Sequence, residues 1–398
     1  MTLDENTLKG FKYFQPLWPI LKKLPPDRSH PPRNLHYDQY LSLILFYFFN
    51  PTLTGLRSIQ KASQLEKVQK VLRVNSTSLG SFSEAGNVFD PLLLPPLVEA
   101  LAQKALPQET DPSLKDLEKI LVAFDGSLLP ALPKMLWALW LGPDHQAAKI
   151  HLEFDLLKGV PTQAALTDGN ANEKTVLRNH LSPGKIYVLD AGYAQYSLLE
   201  DILKAQSSFV CRLRDNAVWE TLSEKELSQQ DHNAGIQRDL IVRLGSQTKQ
   251  DELSSPVRVI EIHHLDPVSR RRPSRVSSKK TFRTTTGDYT LLIVTDLLDL
   301  PAELIALIFR FRWQIELFFR WFKCILRFKH FLSLSENGLA IQLYCALIAS
   351  LLISLWTGRK PDKRTYEMLC LHMQGWASDQ ELQRHLESLR KQETKKIS

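Results

Sequence analysis

Two short apolar runs constrain the fold of this chain more than any other part of its sequence. Residues 119–124 and 185–189 are rich in the branched side chains of buried strands, and each run is followed at once by an aspartate, Asp125 and Asp190. The neighbouring segments alternate between strand and helix patterns. The predicted strands are 119–124, 149–157, 162–166, 185–189 and 208–213, and the predicted helices are 173–179 and 193–204. This order is typical of a mixed α/β fold.

The length and composition indicate a soluble globular protein. A chain of 398 residues exceeds one simple core, so we expect two or three domains. Contents of 43% hydrophobic and 23% charged residues are normal for soluble proteins. The apolar run 341–356 is short for a membrane span and contains Gln342 and Tyr344, so we expect a buried helix and no membrane partner. Four separate cysteines without a C-x-x-C pair favour a reducing compartment and no structural zinc.

The positive charge of the chain is concentrated in one segment. The net charge is +7, and the stretch from Arg258 to Arg283 carries only Glu261 and Asp266 as opposing charges. The basic residues between its ends are Arg270, Arg271, Arg272, Arg275, Lys279 and Lys280. Such a cluster favours a polyanionic partner, most commonly nucleic acid. A solvated loop without a ligand is the alternative.

Residues 309–327 (FRFRWQIELFFRWFKCILR) have the pattern of an amphipathic helix, within a predicted helix 301–328. One arc of about 100° holds Phe309, Arg312, Trp313, Glu316, Arg320, Lys323 and Arg327. The adjacent apolar arc holds Ile308, Ile315, Phe319, Phe322 and Leu326. A basic stripe suits phosphates, and a single acid within it suits a metal ligand. The alternative is a solvated helix whose acid is paired with arginines four residues away.

The aspartates after the two strand runs predict a metal site. If these strands are parallel neighbours, Asp125 and Asp190 emerge at one sheet edge, where Gly126 and Gly192 allow close approach. Together with Glu316 they form an oxygen donor set that suits Mg²⁺. Two ions about 3.5–4 Å apart could activate an attacking group and stabilise the leaving oxygen of a phosphodiester. The pattern therefore predicts phosphoryl transfer on a nucleic acid.

These residues resemble the signatures of bacterial insertion-sequence transposases of the DDE class, specifically the insertion-sequence-four (IS-four) family. Asp125-Gly126-Ser127 resembles the first motif, and Asp190-Ala191-Gly192-Tyr193 resembles the second, D-x-G-[YF]. The series Phe309, Arg312, Glu316 and Lys323 has the spacing of the motif Y-x2-R-x3-E-x6-K. Phe309 replaces the tyrosine of that motif, so its ring can stack but has no hydroxyl for a phosphate. The resemblance runs from about residue 36 to the C-terminus.

The resemblance implies an α/β fold with a ribonuclease-H-like mixed-sheet catalytic core, a β-rich insertion and an N-terminal α-helical domain. The predicted regions are a helical DNA-binding domain (1–110), the catalytic core (111–214 and 300–345), the insertion (215–299) and a C-terminal helical region (346–398). It also implies a protein that acts in the bacterial cytoplasm, at the nucleoid.

The resemblance further implies the roles of the site residues. Asp125, Asp190 and Glu316 are the expected catalytic residues and ligands of two Mg²⁺ ions, with Mn²⁺ as an alternative. The expected DNA contacts are Phe309, Arg312, Trp313, Arg320, Lys323 and Arg327. The implied reaction nicks the transposon end, forms a hairpin and joins the end to target DNA. The implied partners are double-stranded DNA and a second copy of the chain, as a homodimer in the synaptic complex.

Two other functions remain open. One is a catalytically inactive DNA-binding repressor derived from a transposase, against which the three intact acids argue. The other is a metal phosphatase that acts on small esters, which would not need the basic stripe. Three further candidate metal ligands, His151, Glu153 and Asp155, alternate along one predicted strand. We expect them to form the exposed face of that strand rather than a metal site. For Trp219 we expect packing rather than stacking on a flipped base.

Overall fold

The computed structural model describes residues 35–108, 112–114, 117–130, 134–138, 146–245, 253, 255–265, 288–326, 328 and 330–397. Residues 1–34, residues 267–280, which carry most of the basic cluster, and the stripe residue Arg327 lie outside these ranges. The chain divides into two compact units. The first unit comprises the described residues within Met1–Asp111, Phe124–Val176 and Trp313–Ser398. The second comprises those within Pro112–Ala123 and Leu177–Arg312.

The first unit contains a set of helices, one of which, α11 (Glu336–Thr357), is long and apolar. They are α1 (Tyr37–Phe49), α2 (Leu56–Ser63), α3 (Glu66–Leu72), α4 (Leu79–Val88), α5 (Pro95–Lys104), α10 (Trp313–Cys324), α11 (Glu336–Thr357), α12 (Lys363–Met373) and α13 (Asp379–Ile397). Helix α6 (Glu173–His180) crosses the division between the units. Helix α11 contacts α1, α4, α5 and the third strand of the sheet, and so forms the centre of this unit.

Helix α11 confirms the buried helix expected for residues 341–356. The Ser335 hydroxyl accepts the Gly338 N–H at 3.1 Å and begins the helix, and Gly358, with a φ of +64°, ends it. By length and composition alone the helix could cross a membrane. However, 94% of its most apolar window is buried inside the fold, which is the environment of a core helix.

Nine strands form one mixed sheet. The strands are β1 (Ile120–Pro130), β2 (Ala147–Asp155), β3 (Val160–Asp168), β4 (Lys185–Leu189), β5 (Ser208–Arg212), β6 (Trp219–Glu224), β7 (Ile236–Leu244), β8 (Val257–Leu265) and β9 (Asp288–Thr295). Their order across the sheet is β3-β2-β1-β4-β5-β9-β8-β7-β6. Helices α7 (Tyr196–Lys204), α8 (Gln229–Asn233) and α9 (Ala302–Phe311) belong to the second unit.

The predicted order of three strands, helix, strand, helix and strand is confirmed. Strands β1 and β4 are parallel neighbours, with Ala123 opposite Val188, and β4 pairs with β5 in parallel as well. Strand β4 ends before Asp190, as predicted, whereas β1 continues through Asp125 to Pro130. The prediction that the first run ends at its aspartate was therefore wrong.

The segment after β5 continues the same sheet. The sequence patterns at 257–262 and 289–295 predict strands, which correspond to β8 and β9, whereas no such pattern marks β6 and β7. The four strands pair antiparallel, and β9 pairs antiparallel with β5. Strand β6 is largely exposed along its length, and Trp219 is half-buried. Its polar composition therefore did not produce the apolar pattern that would have identified it.

The helix predicted over 301–328 is two helices. Helix α9 ends at Phe311 and α10 begins at Trp313, while the Arg312 N–H turns back to the Phe309 carbonyl at 3.1 Å. This tighter bond replaces the regular helical pattern at the junction. The stripe predicted as one arc is therefore divided between the two helices. The predicted apolar arc is confirmed, because all five of its side chains are buried.

The prediction that His151, Glu153 and Asp155 form an exposed face was wrong. Their exposed fractions are 0%, 1% and 5%. Strand β2 lies between β1 and β3 and is buried on both faces. The His151 ring bonds to the Thr167 hydroxyl at 2.9 Å, and Glu153 accepts from the Thr162 hydroxyl at 2.8 Å. Hydrogen bonds therefore compensate for the burial of these polar groups.

Arg258 does not belong to a basic surface, contrary to the sequence interpretation. It is 2% exposed, and its guanidinium binds both carboxylate oxygens of Asp239, at 2.7 and 2.6 Å. It also donates to the carbonyl groups of Leu297, Leu298 and Leu300. Arg258 therefore connects β7 and β8 to the segment that precedes α9, in the interior of the second unit.

Candidate active site

Asp190 lies immediately after β4 in the second unit. It precedes a short 3₁₀ turn, Ala191–Tyr193, and its carbonyl accepts the Tyr193 N–H at 2.9 Å. The side chain of Asp190 is half-buried, and that of Tyr193 is 2% exposed. The second motif thus holds Asp190 on a tight turn that is anchored by the buried ring of Tyr193.

Cys211 and Arg312 lie close to Asp190. The Cys211 thiol donates to the Asp190 carbonyl at 3.7 Å. Burial raises the pKa of this thiol, the Asp190 carboxylate raises it further, and the Arg312 guanidinium opposes both effects. Two of the predicted site residues, Asp190 and Arg312, are therefore both close enough to the Cys211 thiol to affect its pKa.

Phe309 and Arg312 interact at the end of α9. The Arg312 guanidinium lies 5.6 Å from the centre of the Phe309 ring, within cation–π range. Both side chains are half-buried. The ring that replaces the tyrosine of the family motif therefore supports the arginine of the same motif.

Asp125 lies on β1 in the first unit, where its side chain is half-buried. One carboxylate oxygen, Oδ1, accepts the backbone N–H of Gly126 at 2.8 Å. Asp125 lies two residues after Ala123, and Asp190 lies two residues after Val188, the partner of Ala123 in β4. Each aspartate therefore lies two residues after one member of the same paired positions, Ala123 in β1 and Val188 in β4.

Helix α10 is attached to β1 by Lys323. The Lys323 ammonium donates to the Ser127 hydroxyl at 2.6 Å and to the Leu128 carbonyl at 3.2 Å. It also lies 5.9 Å from the centre of the Phe319 ring. Glu316 precedes Lys323 by seven residues, which is about two helical turns, so the two side chains share one side of α10. That side of the helix faces the strand that carries Asp125.

The remaining residues of the predicted stripe differ in exposure. Trp313 is 51% exposed, Arg320 is exposed, and Glu316 is half-buried. Arg327 lies outside the described residues. Among the residues that the structure describes, no three His, Cys, Asp or Glu side chains are grouped closely enough to hold a metal ion.

Sequence reasoning missed Glu173, which lies beside Gly126, and its partner Lys149. A Cβ on Gly126 would lie 2.7 Å from Oε1 of Glu173, so this carboxylate occupies the space next to the glycine. Glu173 in turn forms a 3.3 Å ion pair with Lys149. Glu173 begins the predicted helix 173–179, but nothing in the local pattern indicates which strand it contacts.

The sequence model of the family described as "Transposase DDE domain" matches residues 117–352, which include all three predicted metal ligands. This match covers more than half of the chain. The chain belongs to the transposase DDE domain family. The resemblance to DDE-class insertion-sequence transposases is therefore confirmed.

Two curated proteins and one solved structure are similar to this transposase DDE domain protein. A Sinorhizobium fredii protein named as a transposase (y4zB) is 28% identical over 52% of this chain and 52% of its own length. A Geobacillus stearothermophilus protein named as the transposase of insertion sequence element IS5377 is 25% identical over 65% and 62%. The chain thus spans less than two thirds of either relative. The cryo-EM structure of a piggyBac transposase synaptic complex with hairpin DNA matches 96% of this chain and 84% of that chain, with 10% identity and a TM-score of 0.41.

Transposase DDE domains use divalent metal ions in general, and the candidate residues are chemically suited to them. Asp125, Asp190 and Glu316 all supply carboxylate oxygens, the donors that Mg²⁺ and Mn²⁺ prefer. All three side chains are half-buried, so each is accessible from solvent. One lone pair of Asp125 is already used by the Gly126 N–H, which orients its carboxylate. The donor set therefore fits the metal ions that the family requires.

Proposed function

We propose that this protein is a DNA transposase that cuts transposon ends and joins them to target DNA by phosphoryl transfer, with Asp125, Asp190 and Glu316 as ligands of two Mg²⁺ ions. The observation that carries the proposal is the parallel pairing of β1 with β4. The equal offsets of Asp125 and Asp190 from the pair Ala123 and Val188 support a common edge and face for the two carboxylates, because side chains two residues apart on a strand lie on the same face.

The attachment of α10 to β1 supports the role of Glu316. The Lys323 hydrogen bonds fix this helix against the segment that follows Asp125. Three carboxylates repel one another without a cation, so divalent ions held by Asp125, Asp190 and Glu316 would offset that repulsion.

Each group of residues has a part in the reaction. Asp125, Asp190 and Glu316 would hold the divalent ions, and these ions would supply activation of the attacking water or hydroxyl and stabilisation of the leaving oxygen. Arg312, supported by the Phe309 ring, and Lys323 supply positive charge to the DNA backbone. A hairpin intermediate is part of this proposal.

The outer part of the stripe extends the DNA contact. Trp313 is half-exposed and Arg320 is exposed, so both are available to a duplex at the surface. Arg327 is proposed for the same role on its position in the sequence. Trp219, half-buried on β6, keeps its predicted packing role.

The proposal includes the remaining features that the resemblance implied. The order of β1–β5 with α6 and α7 supports a ribonuclease-H-like core, into which β6–β9 are inserted before α9. The helices within residues 35–104 are proposed to bind the transposon end, and the predicted domain boundaries stay a prediction. We further propose a homodimer in the synaptic complex and action at the bacterial nucleoid.

The test is a strand-cleavage assay with DNA taken from both flanks of the gene, in Mg²⁺. We expect wild-type protein to nick these ends, and Glu316→Gln to bind them with wild-type affinity and not to nick them. The control is Glu367→Gln, which alters an exposed glutamate of α12 and should cleave normally. Cleavage at the wild-type rate by Glu316→Gln would refute its ligand role. Binding without cleavage by the wild type would favour the inactive repressor.

A further inference from the structure

An apolar groove, here called the α10–α12 groove, lies within the first unit between α10 and the segment 360–363, where α12 begins. Its volume of about 490 Å³ is typical of ligand sites. The buried side chains of Phe154, Phe318 and Trp321 form its floor. The rings of Phe154 and Trp321 lie 5.1 and 5.8 Å from that of Phe318, centre to centre. The floor is therefore a packed aromatic cluster that belongs to the core of the unit.

One face of α10 adds an apolar row to this groove. Leu317, Trp321 and Cys324 have the spacing i, i+4 and i+7, so they follow one face of the helix. Leu317 is 43% exposed, and Cys324 is exposed as well. Exposed apolar groups that continue into an apolar floor mark a site for a partner with apolar side chains.

Three cations surround the groove. Arg320 lies on α10, and Lys360 and Lys363 lie on the segment across the groove. All three side chains are exposed. The groove therefore has positive charge on both sides of an apolar floor.

The nearby acids do not neutralise these cations. Among the described residues that line the groove, Asp362 is the one acid. Its carboxylate already accepts the Thr365 N–H at 2.8 Å and pairs with Arg359 at 3.3 Å. Lys363 lies 3.7 Å from Glu367, but both side chains are more than half exposed, and such pairs contribute little. The groove therefore keeps a net positive charge.

An acidic peptide with an apolar face suits this arrangement better than other anions do. A DNA duplex presents phosphates at its surface but stacks its bases inside, so it would leave the aromatic floor in water. A small molecule with one anionic group would meet the cations on one side alone. An amphipathic helix carries an apolar row between polar flanks, and it binds by laying that row into an apolar groove.

We propose that the α10–α12 groove binds an acidic amphipathic segment of a partner protein, whose apolar side chains cover the aromatic floor and whose carboxylates pair with Arg320, Lys360 and Lys363. This binding requires none of the proposed metal ligands, so it goes beyond the proposed function. It also implies a means of regulation, because Arg320 is a proposed DNA contact as well. A bound partner would compete with DNA for this arginine.

Alkylation of Cys324 reports directly on the groove. Cys324 is exposed, whereas Cys211, Cys345 and Cys370 are buried. The test adds iodoacetamide to the full-length protein, with and without a synthetic helical peptide that carries leucine and tryptophan on one face and glutamates on both flanks. At about ten times its Kd, the peptide should slow alkylation of Cys324 about tenfold, because most of the grooves are then occupied. The same peptide with lysines in place of the glutamates should leave the rate unchanged.

Two variants and one control locate the binding, with affinities measured by fluorescence anisotropy of the labelled peptide. Lys363→Glu should weaken binding of the acidic peptide about fivefold, because one exposed attraction becomes a repulsion. Leu317→Ser should weaken it about tenfold, because an apolar contact is lost. Lys204→Glu makes the same charge change on α7, where the side chain is 70% exposed, and should bind as the wild type does.

The outcomes separate the alternatives. An alkylation rate that the acidic peptide does not change would overturn the proposal, and protection by a DNA duplex instead would assign the groove to DNA. Equal protection by the acidic and the basic peptide would also overturn it, since charge would then play no part. So would equal weakening by Lys363→Glu and Lys204→Glu, because the peptide would then respond to net charge alone. Peptide binding without DNA cleavage would contradict the proposed function and leave this site standing.

Discussion

Lys323 combines an observed contact with β1 and a proposed contact with DNA, which the sequence motif does not distinguish. Its position in the motif implies a contact with DNA, whereas in the structure its ammonium bonds to Ser127 and Leu128 on β1. A half-buried lysine with two oxygen partners fixes α10 against the strand that carries Asp125. The residue therefore positions Glu316 before any DNA is bound, and its charge remains close to the site.

Lys323→Met should impair cleavage more than DNA binding. The variant keeps the length of the side chain and its packing on Phe319 but loses both hydrogen bonds to β1. A displacement of about 1 Å in the reacting groups can cost about 100-fold in rate, so we expect a loss of tenfold or more in the rate of strand cleavage in Mg²⁺. The affinity for the same DNA should fall only slightly. A proportional fall in both quantities would instead assign Lys323 to DNA binding alone.

Asp155 gives the first unit a pH-dependent stability. Burial raises the pKa of its carboxyl group, opposed by hydrogen bonds from Lys158 and Leu157. The native state therefore holds the proton more tightly than the unfolded chain. Stability from this group is complete below the unfolded pKa of about 3.9 and is lost as the pH rises through the raised native pKa.

Asp155→Asn should remove this dependence. The amide cannot ionise, and its oxygen can accept the same two backbone N–H groups. Relative to the wild type, the free energy of unfolding of the variant should rise as the pH increases from about 3 through the native pKa of Asp155. Urea unfolding at a series of pH values measures this difference. A difference that is constant or falls with pH would show that burial does not perturb this carboxyl group.

At the scale of elements, β7 and β8 are joined by the buried ion pair of Asp239 and Arg258. Their side chains are 4% and 3% exposed, and the two charges meet through two hydrogen bonds. The guanidinium also satisfies carbonyl groups of the segment before α9. Arg258 thereby connects these strands to the segment that leads into α9, the helix that ends at Phe311.

Removal of one partner of this pair should be costly. Arg258→Met leaves the Asp239 carboxylate buried without its partner, which typically costs about 3–5 kcal/mol of stability. The exposed pair of Arg243 and Glu220, 3.4 Å apart on β7 and β6, is the control. Arg243→Met should change stability by less than about 1 kcal/mol. Equal effects of the two substitutions in urea unfolding would contradict the structural role of Arg258.

The extent to which each element could be predicted follows from the range of the interactions that form it. The strand runs before Asp125 and Asp190 and the buried helix α11 were predictable, because their apolar patterns are local. Three features were not predictable from the sequence: the break between α9 and α10 at Arg312, the burial of His151, and the position of the Glu173 carboxylate next to Gly126. Each of these depends on contacts with elements that are distant in the sequence.

At the scale of the whole molecule, the candidate site combines residues that the sequence separates widely. The motif spacings predicted Asp125, Asp190 and Glu316 as site residues, and all three lie within the region that the family model matches. The pairing of β1 with β4 and the attachment of α10 to β1 give physical reasons for two parts of this arrangement. The central claim is that the three acids share divalent ions.

Iron-mediated backbone cleavage tests that claim most directly. Fe²⁺ replaces Mg²⁺ in the full-length protein with bound DNA, and ascorbate and peroxide generate hydroxyl radicals that cut the chain beside the bound ion. The account predicts three cuts, near residues 125, 190 and 316, all of which disappear with excess Mg²⁺ and weaken together in Asp125→Asn. Cuts at only one of these positions, or three cuts that Asp125→Asn does not weaken together, would contradict a shared metal site.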